Sequence, residues 1–226
     1  MKQFIAATVL LICVVGVLTG CTVLNGSSKP QRVLDYMHAR YDDSFTCLGS
    51  FGGTEFLVSS AKYPGKEICV MEYKGSSAGF TDNYLDYQYE DEAADAIQTM
   101  LEETFDCPVV LTYKVMEQSL PCDLPADCSL DAYLRGRDVP FVFYTVISPA
   151  YNPAEEEAVE QLILSLFREY DMDISATFYF PASQELFDRL FTGEQQKVTK
   201  GKRLSINISG GQIKNSHWSE VNEESD

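Results

Sequence analysis

The sequence predicts an α+β fold: a mixed, largely antiparallel sheet packed by amphipathic helices, as one domain or two small tandem subdomains. Three observations carry this. Short β-rich runs lie side by side between residues 45 and 73, split by Gly-Gly and Pro-Gly turns. Two long stretches, 81–105 and 155–170, repeat apolar residues at helical spacing, and each leads into a strand-like run. The composition is globular, with 45% hydrophobic and 12% aromatic residues.

The elements follow in order. Pro30 suits a first helical turn, with Ser28 or Lys29 near the cap, and Val33, Leu34, Met37 and Tyr41 share one face. Segments 45–51, 54–63 and 67–73 read as an antiparallel meander. The stretch 81–105 reads as one helix, capped by Asp82 or Asn83, with Tyr84, Leu85, Tyr89, Ala93, Ile97 and Leu101 inward. A strand over 108–115, a loop over 116–127 and a short helix capped by Ser129 come next. The most apolar strand, 139–147, belongs at the sheet centre. Asn152-Pro153-Ala154-Glu155 opens a helix that runs to Tyr170. A strand over 173–180 and a short helix from Ser183 to Gly193 precede Leu204, Ile206 and Ile208, which alternate with polar residues on a half-exposed strand. Gly210-Gly211 turns that strand into a hairpin through Ile213. Shifting the chain by 65 residues aligns the two helix–strand units, but ordinary periodicity accounts for the match.

The N-terminus carries a different signal. Lys2 precedes an uncharged apolar run of 15 residues, 4–18, the length of a signal-peptide core and short of the ~20 residues that a membrane helix needs. Leu18-Thr19-Gly20-Cys21 follows. This resembles the lipobox of bacterial lipoproteins, which implies cleavage before Cys21 and a diacylglycerol thioether on its sulfur. Two acyl chains are what stable anchoring requires. An uncleaved helix extending through Val23 and Leu24 is the alternative. The expected organisation is a signal peptide (1–20), a tether (21–29), a first α+β unit (30–116), a connecting loop (117–128), a second unit (129–218) and an acidic tail (219–226).

Charge restricts the partners. With 17 basic and 34 acidic side chains, a net −17, the chain lacks the basic footprint that nucleic acid demands. The same balance repels it from anionic lipid. The membrane is therefore expected as a partner only through lipid on Cys21, on the outer face of the cell membrane. The protein or envelope ligand stays open.

Outside the cytoplasm disulfides are permitted. Cys122 and Cys128 flank a proline-containing loop and are placed to close it. Cys47 and Cys69 can bridge only if their strands are neighbours. Buried small hydrophobes are the commoner role for such strand cysteines.

Nothing in the pattern predicts a cofactor or a metal. No CxxC, P-loop or GxGxxG occurs, and His38 and His217 are the two histidines. A catalytic triad would have to use one of them as its base. Asp82, Asp86 and Glu90 recur every four residues and read as a solvated helix face. Phe80, Tyr84, Tyr87 and Tyr89 form an aromatic group, either packed or offered to a sugar or protein partner.

The order of elements, and the segment Asp82-Asn83-Tyr84-Leu85 running into an acidic helix, resemble the small extracytoplasmic lipoproteins of Gram-positive bacteria. That resemblance brings no catalytic residue with it. The expected function is a non-enzymatic binding or scaffolding module at the cell surface. The alternative is an envelope-associated hydrolase using His38 or His217.

Overall fold

A computed structural model describes residues 28–74, 79–113, 115, 123–137, 139–151, 155–194 and 197–222. The α+β prediction holds. Two sheets, four-stranded and five-stranded, carry helices packed between and around them.

The first sheet is the expected three-strand meander, β1 (Phe45–Phe51), β2 (Glu55–Ser60) and β3 (Glu67–Glu72), extended by an unexpected fourth strand, β4 (Phe80–Asp82), all antiparallel. Alternation along β2 buries Phe56, Val58 and Ser60 on one side. Helix α1 (Lys29–Arg40) packs on that side through Val33, Tyr36 and Met37. Since β2 lies between β1 and β3, Cys47 and Cys69 are not on neighbouring strands, and both thiols are free.

The stretch 81–105 is not one helix. Asp82 ends strand β4, and two helices follow, α2 (Tyr84–Gln88) and α3 (Glu90–Phe105), separated at Tyr89. The acidic run Glu90-Asp91-Glu92 therefore sits in the first turn of a new helix, where the macrodipole favours negative charge. Nor is the carboxylate row a solvated face. Asp82 and Asp86 are buried, and distant partners hold them there. Asp82 accepts hydrogen bonds from the Tyr36 hydroxyl (2.6 Å), the Tyr41 hydroxyl (2.8 Å) and the Tyr84 amide (2.9 Å), with Arg40 at 3.4 Å. Asp86 pairs with Arg137 at 3.0 Å and accepts from Tyr133 at 2.9 Å. Glu90 pairs with Lys66 at 3.1 Å and accepts from the Val115 amide at 3.0 Å. A periodicity argument cannot see these partners.

The second sheet runs β5 (Val109–Tyr113), β6 (Phe141–Ile147), β7 (Ile174–Pro181), β8 (Lys200–Ser209) and β9 (Gln212–Asn222), in that order. All pairs are antiparallel except β6–β7, which the crossover helix α5 (Glu156–Glu169) makes parallel. β6 lies inside the sheet, and β7 is its middle strand. The short helices α4 (Leu130–Gly136) and α6 (Gln184–Phe191) are capped by the hydroxyls of Ser129 and Ser183. β5 pairs with β6, so the first unit expected over 30–116 ends inside the second sheet; the sheets divide at α3, not within 117–128. The Gly210-Gly211 hairpin is present, but its second strand continues to Asn222, with Val221 buried. Residues 219–222 are thus strand, not tail. One core cluster joins both sheets, from Val33 and Phe56 through Leu101 and Phe105 to Phe143, Phe167 and Phe178.

Candidate functional site

Cys21, the motif Leu18-Thr19-Gly20 and Cys122 lie outside the described residues. Cys128 is half-buried, and its carbonyl accepts from the Tyr89 hydroxyl. The aromatic group at the start of α2 is packed: Phe80, Tyr84 and Tyr87 are each under 5% exposed.

The histidines stand on different sheets. His38 is exposed on α1, its ring 5.4 Å from that of Phe45, beside a shallow surface dent that includes Arg40 and Asp43. His217 is exposed on β9, opposite Ser205 of β8. Among the described residues neither has a carboxylate partner. Among the described residues no group of three or more His, Cys, Asp or Glu side chains could hold a metal ion. No helix among them is long and apolar enough to cross a membrane.

The second sheet offers the better candidate. Strict alternation puts Phe141, Phe143, Ile147, Ile174, Phe178, Leu204, Ile206 and Ile208 on its inner face. The opposite face is then fixed by register. One row crosses all five strands as Thr112, Tyr144, Thr177, Ser205 and His217. The next row is Val110, Val146, Tyr179, Arg203 and Ser219. A third, Val142, Ser175, Asn207 and Asn215, is tied by an amide–amide bond of 2.9 Å between its asparagines. This surface is hydroxyl-rich and half-open, and Tyr144 is 55% exposed.

Helix α6 folds back over one end of this face. Leu190, Val198 and Val221 form a small second core there, with Val146, Tyr179 and Leu186 against it. Between this cover and the sheet lies a groove of about 350 Å³, within the ~300–1,000 Å³ range of small-ligand sites. Its wall is apolar at Val146, Leu190, Val198 and Val221, aromatic at Tyr144 and Tyr179, and cationic at Lys197 and Arg203. Among the described residues no carboxylate lines it. Arg203 is exposed, and its Nε donates to the Ser219 hydroxyl at 3.1 Å, which steadies the guanidinium along the β8–β9 pair.

No protein-family model matches the chain, and no curated protein matches it. Among solved structures, it is similar to the crystal structure of a DUF5037 family protein from Ruminococcus gnavus. The identity is 11%, over 82% of this chain and 94% of that one, with a TM-score of 0.41.

The groove brings cations, hydroxyls and rings together, and His217 stands one row away from Arg203. The sequence shows part of this. Arg203, Ser205 and Asn207 alternate with Leu204, Ile206 and Ile208, so they must face away from the core. Tyr144 and Tyr179 alternate with phenylalanines in the same way. The groove itself is invisible in the pattern, because it needs α6 to return across the sheet.

Proposed function

We propose that this chain is a lipid-anchored, extracytoplasmic, non-enzymatic binding module. Its ligand site is the groove on the outer face of the second sheet, and its ligand is a small anion with an apolar body. One observation supports the site above the rest. In a chain of net charge −17, the groove sets Lys197 and Arg203 against aliphatic and tyrosine walls, and none of its described lining residues is a carboxylate. A local reversal of sign raises the concentration of anions at the site. The apolar wall gives the rest of the ligand a surface to leave water for. The anchor rests on Leu18-Thr19-Gly20-Cys21 behind its apolar run.

Titrating the folded protein with octanoate, octanol and octylamine, by calorimetry, tests the site. Octanoate is expected to bind best, and Arg203→Gln is expected to weaken octanoate about tenfold while leaving octanol unchanged. Equal binding of all three, or binding of octanoate that Arg203→Gln does not alter, contradicts the reading.

A further inference from the structure

The tether from Cys21 enters the folded body at Lys29, and exposed apolar side chains gather where it arrives. Lys29 Nζ donates to the Gly53 carbonyl at 2.9 Å and pairs with Glu72 at 3.0 Å. Gly52 and Gly53 form the β1–β2 turn at positive φ, where glycine costs nothing. Phe51 precedes that turn and is 59% exposed; Tyr73 follows Glu72 and is 51% exposed. Register places Phe51 opposite Glu55 and Glu55 opposite Met71. Phe51, Met71 and, by alternation, Tyr73 therefore share the outer face of the first sheet, the face that α1 does not cover. With Leu48 on β1, this sheet carries three of the five strongly exposed large apolar side chains among the described residues.

We infer that this end of the first sheet rests on the lipid surface, with Phe51 and Tyr73 in the interfacial layer and Lys29 and Lys74 at headgroup level. The inference rests on the Cys21 anchor. From Thr22 to Ser28 the chain can span at most about 25 Å, even fully extended. A domain of about 200 residues is roughly 40 Å across. The body is therefore held within about 25 Å of the membrane, less than its own width, and the end nearest Lys29 is tethered closest to it. Aromatic rings at that position match the interfacial preference of such side chains. Local charge permits the contact: Lys29 pairs with Glu72 and Lys74 adds a positive charge beside Tyr73, although the whole chain is strongly acidic.

The test uses the mature, full-length protein in phosphatidylcholine vesicles whose acyl chains carry bromine. Intact mass first establishes the lipid on Cys21. Phe51→Trp, Tyr73→Trp and Tyr144→Trp are then compared, each in a Trp218→Phe background that keeps a ring against Phe180. The emission of the first two is expected to shift to the blue and to be quenched at least about twofold more than that of Tyr144→Trp. A lipidated Cys21 with equal quenching at all three positions overturns the seating alone. An unmodified Cys21 overturns the anchor, and the seating with it.

Discussion

Asp86 of α2 meets Arg137, beyond α4, at 3.0 Å, with side chains 0% and 4% exposed. The other Asp86 oxygen accepts from Tyr133 at 2.9 Å, and the guanidinium lies 4.8 Å from the centre of the Phe141 ring. A charge this deep is costly unless it is both paired and hydrogen-bonded. The pair joins the segment after the first sheet to the segment that enters the second.

Removing one partner strands the other. Asp86→Ala is expected to destabilise the fold by about 3–5 kcal/mol, and Asp86→Ala with Arg137→Met by less than the sum of the single changes. Urea unfolding of the four proteins measures this. Additive effects would mean that the two residues act independently.

How much of this was legible differs by residue. The meander, the two capped short helices and the β8–β9 hairpin follow from turn residues and alternation, because those signals are local. The inside and outside of the second sheet were legible for the same reason. Asp82 and Asp86 were not. Their four-residue spacing looks like an exposed helix face, and only the arrival of Tyr36, Tyr41, Tyr133 and Arg137 from elsewhere makes burial affordable. The break at Tyr89 was hidden likewise, since the apolar spacing continues across it. The groove is not legible because its roof and floor come from α6 and β5–β9.

Asn83 is wholly buried, and its side-chain oxygen accepts from the Cys69 amide at 2.8 Å. Asn83→Ala leaves that amide without its acceptor. A loss of about 1–3 kcal/mol is expected in chemical denaturation, with the β3–β4 amides exchanging faster. Unchanged stability would mean that the amide finds another partner.

Burial opposes the charge on Asp43, but hydrogen bonds from Ser60, the Ser44 amide, Tyr84 and the Lys62 amide hold its carboxyl below the usual 3.8. The unfolded carboxyl therefore takes up a proton before the folded one does. The stabilisation is present above the unfolded pKa and is lost as pH falls through the folded value. Asp43→Asn is expected to flatten the acid limb of the stability curve below about pH 4. An acid limb as steep as in the parent would contradict this.

The Cys69 thiol, desolvated and facing Glu55 at 3.6 Å, is pushed up to about 12. It stays protonated at pH 8 and is expected to resist alkylation until the protein unfolds. Timed iodoacetamide labelling with peptide mapping reads this, and rapid labelling of Cys69 in the folded protein would refute it.

We propose an acidic α+β body held outside the cell by lipid on Cys21. The most direct measurement is the mass of the N-terminal peptide of the mature protein. The expected result is a chain that begins at Cys21 and carries a diacylglycerol thioether. A chain that keeps residues 1–20, or an unmodified Cys21, would contradict it.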